Sequence, residues 1–166
     1  MKKIRTTGSE TEKDHLSGWP DDSPFAIKRD DLQPPDPLLI ARRVRDRLLA
    51  GESWLISKQI GSAMREPAAD EYTRRLRSER RLFGVRYKGE YLHPAFQFLP
   101  NGEVHPAMAR LLLLLPVTDA NWNVAFWFYQ PTGWLRGRRP ADVFSEDPDA
   151  VLLGAEKDFV SGDDAF

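Results

Sequence analysis

The chain has 166 residues, enough for one domain or two small ones. It carries 24 basic and 25 acidic residues, so its net charge indicates no class of partner. The absence of cysteine excludes disulfides, thiolate metal sites and thiol catalysis. No apolar stretch follows the charged start, and the longest apolar run, Leu111–Val117, is far shorter than the roughly 20 residues of a membrane span. We therefore expect a soluble protein of the reducing cytoplasm.

The first 36 residues combine several prolines and glycines with many charges and few large apolar side chains. Such a segment buries too little surface to offset its ordering entropy, so residues 1–36 are predicted to form a flexible tail. A helix is then predicted from Pro37 to Ala50, because proline suits a first helical turn and apolar residues recur at helical spacing.

Two further helices and a hairpin are predicted before residue 100. Ser57 is expected to cap a short helix, and a second helix is expected to run from Pro67 to about Arg80. The strands Leu82–Tyr87 and Glu90–Phe98 flank a Lys-Gly turn, and a proline at position 94 limits the second strand to a sheet edge or a break. Residues 37–100 are thus predicted to be a helix-turn-helix-like region with a β-hairpin.

The remaining residues, 101–166, are predicted to form a C-terminal helical domain. Helices are expected at 106–115, 120–129 and about 148–157, the last with Asp147 as its cap and Pro148 at its first position. Leu111–Leu115 is apolar on every side, which is typical of a helix that is buried or paired. It is assigned mainly to the core, and a homodimer is an additional expectation. The predicted class is α+β, mainly helical.

A basic cluster lies in the predicted helix that runs from Pro67 to about Arg80. Arg74, Arg77 and Arg81 are three and four residues apart, so a helix would place them on one face. Phosphate contacts require such side chains on a helix that can enter the major groove. The alternatives are a solvated charged face and pairing with an acidic partner protein, and the near-neutral net charge counts against a dedicated DNA-binding domain. The candidate DNA-binding residues are Arg74, Arg75, Arg77, Arg80 and Arg81.

An aromatic and basic loop follows Pro131, where large apolar side chains seldom pack fully. Exposed aromatic residues beside arginine are typical of a protein-binding patch, although burial in the core is the alternative. The tail from Phe159 to Phe166 is a second candidate element. The candidate partner-binding residues are Trp134, Leu135, Arg136, Arg138, Arg139, Phe159 and Phe166.

Two sequence patterns are fairly specific when they occur together. The first is Gly84-Val85-Arg86 followed by the run His93–Phe98. The second is an aromatic helix and a spaced loop, ending in a last helix, and its residues are Trp122, Trp127, Pro131, Leu135, Gly137, Arg138, Pro140 and Val151–Ala155. With these patterns, residues from about 54 to 158 resemble the antitoxin family variously called MbcA/ParS/Xre, the partners of RES-domain toxins.

This resemblance implies that residues 101–166 are a toxin-binding domain. It also implies that the protein inhibits a RES-type, NAD-consuming toxin by blocking its active site. Many such proteins repress their own operon, so a DNA-binding repressor is the alternative. An adaptor or immunity protein of another system is a third.

No catalytic constellation stands out in the sequence. The histidines at 15, 93 and 105 are not spaced as metal ligands, and neither a dinucleotide-binding nor a Walker motif is present. His93 is assigned a structural role. The sequence therefore predicts a protein that is not an enzyme and that holds neither a cofactor nor a metal.

Overall fold

The computed structural model describes Pro34 and residues 36–161. The tail predicted for residues 1–36 lies almost wholly outside the described residues, as does Phe166. Helix α1 (Pro37–Gly51) begins where the proline predicts it. The Asp36 carboxylate accepts the Leu38 amide at 2.9 Å, which caps the first turn. The elements that follow all belong to a compact unit that begins at Arg43.

Helices α2 (Ser57–Met64) and α3 (Ala69–Ser78) pack closely against each other. Gly61 permits this approach, because a Cβ at that position would collide with the Cβ of Ala69. The expected cap is wrong: the cap position is Ile56, whose amide donates to the Gln59 side chain at 2.9 Å. The Ser57 hydroxyl instead lies 2.8 Å from that of Thr73 on α3, which ties the two helices together.

Three antiparallel strands, β1 (Trp54–Leu55), β2 (Val85–Tyr87) and β3 (Glu90–Pro94), form a sheet in the order β1-β3-β2. The predicted hairpin is confirmed, whereas β1 was not predicted. It places β3 at the centre of the sheet rather than at an edge. Pro94 pairs with Trp54 and is the last residue of the strand. Its missing amide therefore does not break the hydrogen bonding within the strand. A single 3₁₀ turn, Ala95–Gln97, follows directly.

The hairpin turn consists of Lys88 and Gly89, which both have positive φ angles, 49° and 87°. Two such residues make the type I′ turn whose twist matches that of the flanking strands. The Lys88 side chain is exposed at the tip.

Four helices follow: α4 (Ala107–Leu114), α5 (Trp122–Tyr129), α6 (Pro140–Val143) and α7 (Pro148–Phe159). The predicted cap of the last helix is confirmed, since the Asp147 carboxylate accepts the Ala150 amide at 3.0 Å. Neither α6 nor a 3₁₀ turn at Gly133–Leu135 was predicted. The predicted class is confirmed as α+β, mainly helical, with one small antiparallel sheet.

The hydrophobic core joins the hairpin to the helices after residue 100. Phe83, just before β2, is buried and meets Phe128 of α5 edge-on, with the ring centroids 5.2 Å apart. Side chains near the start of α5 also hold the backbone of this segment, because Asn121 donates to the Gly84 carbonyl at 2.8 Å and the Trp122 indole donates to the Arg86 carbonyl at 3.1 Å. None of the described helices is long and apolar enough to cross a membrane.

Candidate functional site

Charge is unevenly distributed along the unit that begins at Arg43. Between residues 43 and 98, twelve Lys and Arg stand against seven Asp and Glu, whereas between 99 and 161 five stand against eight. The near-neutral total therefore conceals a basic half, which contains α2, α3 and the sheet. A basic half of this kind is attractive to polyanions even when the whole chain is neutral.

A groove of about 510 Å³ lies between the start of α2, α3 and the hairpin, and we call it the α3–hairpin groove. Three cationic side chains line it, Lys58, Arg74 and Arg77, together with the acidic Asp70 and Glu90. Lys58 was absent from the predicted set. Its position in the sequence, at the start of a short helix, does not predict a binding role, because only the fold brings it beside α3.

Arg74 and Arg75 are the predicted cations that project freely from α3. Arg74 makes one exposed ion pair with Glu71 at 3.7 Å, and such a pair is weak. The Arg75 guanidinium lies 5.6 Å from the Tyr72 ring centroid. Both side chains are exposed and can reach an external anion.

The predicted single helical face of Arg74, Arg77 and Arg81 is wrong, because α3 ends at Ser78. Arg80 adopts a left-handed conformation with φ 53°, and the Arg81 amide returns to the Leu76 carbonyl at 2.8 Å. The left-handed residue that closes a helix in this way is usually glycine, whereas here it is arginine. Beyond the helix end, Arg80 reaches the Leu112 carbonyl at 3.5 Å and Arg81 pairs with Glu79 at 3.2 Å.

Arg77 is half-buried and joins α3 to the central strand. Its guanidinium lies 3.8 Å from the Tyr91 ring centroid, and it donates to His93 Nε2 at 3.4 Å. Burial lowers the pKa of Arg77 below its usual value. This side chain is therefore held within the protein, in contrast to Arg74 and Arg75.

His93 is fully buried in β3, and its Nδ1 donates to the Phe83 carbonyl at 2.8 Å. The buried Gln97 amide holds the same residue, accepting the Phe83 amide at 2.9 Å and donating to its carbonyl at 3.0 Å. Burial lowers the pKa of His93 to about 4, and the nearby Arg77 charge acts in the same direction. A neutral imidazole with Nδ1 protonated satisfies both of its contacts.

The expected exposure of Leu135 is wrong. Leu135 is 6% exposed and belongs to the core, whereas its neighbour Trp134 is 59% exposed. The 3₁₀ turn at Gly133–Leu135 accounts for the difference, because it points these adjacent side chains in different directions. The Thr132 hydroxyl accepts the Trp134 amide at the start of this turn.

Trp134 is attached to the end of α7 although most of its surface is exposed. Its indole donates to the Asp158 carboxylate at 2.8 Å, and the Trp127 indole donates to the other oxygen of that carboxylate at 2.8 Å. Phe159 is half-buried, with its ring centroid 5.5 Å from that of Trp127. Phe159, the first residue of the predicted tail element, thus packs on its own fold.

The arginines of the same loop differ in their partners. Arg139 donates to Asp142 at 2.6 and 2.7 Å and to Glu52 at 2.6 Å, and these hydrogen bonds, with Asp142 first, raise its pKa. Arg138 pairs with Glu146 at 2.9 Å. Arg136 is exposed, with a left-handed φ of 57°. Trp134 and Arg136 therefore remain the side chains of this loop that are best placed to meet a partner.

A second surface lies between α4 and α7, where sequence reasoning placed core. Leu113 is 69% exposed and Leu153 is 57% exposed, and both border a groove of about 570 Å³. Within residues 36–161, no three acidic or histidine side chains lie close enough together to hold a metal ion.

No family model matches the chain, and no curated protein matches it. A solved structure with a similar fold is the NMR structure of Rv2175c, which has a TM-score of 0.53 and is 19% identical. The alignment covers 85% of this chain and 99% of that one. At this identity the similarity concerns the fold alone.

Proposed function

We propose that the protein binds double-stranded DNA through α3 and the β2–β3 hairpin. The observation that carries this proposal is the element order α1-β1-α2-α3-β2-β3 with the sheet order β1-β3-β2. The same order of elements and strands is expected of a helix-turn-helix domain with a wing, which supports the proposal. In such proteins the second helix of the pair enters the major groove, and the hairpin lies along the neighbouring backbone.

The charges agree with this placement. Arg74 and Arg75 project from α3, Lys58 lies in the first turn of α2, and Lys88 stands at the tip of the hairpin. Lys58 and Arg74 line the α3–hairpin groove, whereas Arg75 and Lys88 are exposed outside its lining. Cations on these elements can contact the phosphates on either side of the helix.

Two acids in the first turn of α3, Asp70 and Glu71, oppose indiscriminate binding. Carboxylates repel phosphates, but they accept hydrogen bonds from the cytosine amino group in the major groove. We therefore expect weak affinity for random DNA and tighter binding to a specific site, as in an operator-binding repressor.

Fluorescence anisotropy with a labelled duplex from the upstream region of the gene tests the proposal. We expect binding at low salt that weakens steeply as salt rises. The double variant Arg74→Ala/Arg75→Ala should bind more weakly, and its salt slope should fall by about 0.9 for each phosphate that the missing guanidinium groups neutralise in the wild type. Lys157→Ala removes an exposed cation from α7 and should change nothing. Absence of binding at low salt, or equal binding by the double variant, contradicts the proposal.

We also propose that the loop after α5 binds a protein partner. The antitoxin-like resemblance implies that this partner is a RES-type toxin whose active site the protein blocks. The supporting observation is the Trp134 indole, which remains 59% exposed beside the exposed Arg136. A large aromatic side chain and an arginine are the residue types that dominate binding energy in protein interfaces.

Co-expression with the product of the neighbouring gene tests this second candidate. Rescue from toxicity should be abolished in Trp134→Ala. Asp158→Asn weakens the attachment of the indole to α7 but keeps the indole, so it should retain rescue. A stable partner without NAD chemistry would favour an adaptor or immunity protein instead. Unchanged toxicity in the presence of the wild-type protein would exclude the inhibitor role.

A further inference from the structure

Arg86 is an exposed cation on the side of the hairpin that faces α3. It lies directly opposite Tyr91 in the β2–β3 register, and residues directly opposite in an antiparallel pair have side chains on the same face of the sheet. The Tyr91 ring identifies this face, because the Arg77 guanidinium of α3 lies 3.8 Å from its centroid. The Arg86 side chain therefore projects on the side of α3, although it was not among the predicted DNA-binding residues.

The backbone of Arg86 is held from outside the hairpin. Its amide donates to the Ala120 carbonyl at 3.4 Å, and its carbonyl accepts from the Trp122 indole at 3.1 Å. The neighbouring residues are held as well, because Val85 is fully buried and Tyr87 meets the Trp122 ring edge-on, with the centroids 6.1 Å apart. Arg86 is therefore presented by a fixed strand, which reduces the entropy that the protein loses on binding.

Arg86 also supplies half of the positive charge of the hairpin. The charged side chains between Val85 and Pro94 are Arg86, Lys88 and Glu90, and all three are exposed. The Glu90 carboxylate borders the α3–hairpin groove, whereas Arg86 lies outside the lining of that groove. Loss of Arg86 would leave the hairpin without net positive charge, so we expect this residue to contribute to the attraction of DNA.

We propose that Arg86 enters the minor groove of the bound DNA and favours A·T base pairs there. This role rests on the proposed function, in which α3 occupies the major groove and the hairpin lies along the neighbouring backbone. The minor groove is the next groove across that backbone. A side chain on the face of the hairpin that is turned towards α3 is therefore placed to reach it.

The chemistry of arginine suits a narrow, A·T-rich minor groove. Such a groove has an enhanced negative potential that attracts arginine. The guanidinium group is more weakly hydrated than the ammonium group of lysine, so its transfer from water into the groove costs less. A G·C pair adds the guanine amino group to the minor groove, where it would oppose the donors of the guanidinium. We therefore expect Arg86 to disfavour G·C pairs, while Lys88 contacts phosphates without regard to sequence.

Footprinting at saturating protein, on the duplex from the upstream region of the gene, locates this contact. Hydroxyl radicals attack sugars that border the minor groove, whereas dimethyl sulfate reports on guanine N7 in the major groove. The wild type should protect an A·T-rich minor-groove segment beside its major-groove site. Arg86→Ala should lose the minor-groove protection and keep the major-groove protection. A protected segment rich in G·C pairs, or one that Arg86→Ala still protects, overturns the proposal.

Replacement of adenine by 2,6-diaminopurine within the protected segment tests the base preference. This change adds an amino group to the minor groove and leaves the hydrogen-bonding groups of the major groove unchanged. By fluorescence anisotropy, the wild type should bind the modified duplex at least about fivefold more weakly, whereas Arg86→Ala should bind both duplexes equally. Arg86→Lys keeps the charge, so it should recover affinity but lose most of the discrimination. Lys88→Ala, the matched control at the hairpin tip, should weaken binding to both duplexes by the same factor.

Failure of this role and failure of DNA binding give different results. A wild type that binds no duplex at low salt contradicts DNA binding, and the role of Arg86 with it. A wild type that binds the modified and unmodified duplexes equally, or an Arg86→Ala variant that still discriminates between them, overturns the role of Arg86 alone.

Discussion

His93 Nδ1 lies 2.8 Å from the Phe83 carbonyl oxygen, so a buried imidazole joins the central strand to the segment that enters β2. The same imidazole accepts from Arg77 of α3. One neutral side chain thus fixes the position of the hairpin relative to α3, the two elements proposed to contact DNA together.

His93 should make stability depend on pH. Its pKa is about 4 in the folded protein, below the ordinary value of 6.5, so the unfolded chain binds the proton first. The contribution of this neutral imidazole to the free energy of unfolding is fully present above pH 6.5 and is lost as pH falls towards 4. The total loss is about 3 kcal/mol. Urea unfolding should show the difference in stability between wild type and His93→Gln shrinking over this window. An imidazole that titrates near 6.5 by NMR in the folded protein is incompatible with this account.

Arg77 should matter for stability, whereas Arg74 should not. Arg77→Ala removes the contact with Tyr91 and the hydrogen bond to His93, and we expect a loss of about 1 to 2 kcal/mol in the free energy of unfolding. Arg74→Ala is the matched control on the exposed face of α3 and should change stability by less than about 0.5 kcal/mol. Equal effects of the two variants would refute the structural role of Arg77.

Gly61→Ala should destabilise the protein although alanine favours helices. The added methyl group meets Ala69 and the Glu66 carbonyl, so α2 and α3 must separate, at a cost of about 1 to 3 kcal/mol. Gly133→Ala, where nothing lies within 4 Å of the new Cβ, is the control. Thermal unfolding measures both, and an unchanged Tm for Gly61→Ala would show that the helices do not cross this closely.

Leu135 should act as a core residue. Leu135→Ala leaves a cavity and should cost about 2 to 4 kcal/mol, with no requirement for a partner protein. The neighbouring substitution Trp134→Ala should cost less, because most of that side chain is exposed. Denaturant titrations of the two variants compare them directly, and the reverse order would restore Leu135 as a surface anchor.

Sequence alone predicted the elements with strong local signals. The Pro37 and Asp147-Pro148 starts of α1 and α7, and the Lys88-Gly89 turn, each follow from residues adjacent in the chain. Strand β1 has only two residues and thus no measurable alternation, so it was missed. The end of α3 was missed because arginine, not glycine, adopts the left-handed conformation there.

The candidate sites were harder to predict because their contacts are distant in sequence. Arg77 meets a ring and an imidazole fourteen and sixteen residues later, and Trp134 meets a carboxylate twenty-four residues later. Residue type singled out the arginines and the tryptophan as candidates. It could not indicate which of them are held by their own fold.

Amide chemical shifts in a DNA titration test the central claim most directly. We expect a specific duplex to shift the amides of α3, the start of α2 and the Lys88–Gly89 turn, while those of α7 stay unchanged. Shifts confined to residues after 99, or no shifts at low salt, would contradict DNA binding through α3 and the hairpin.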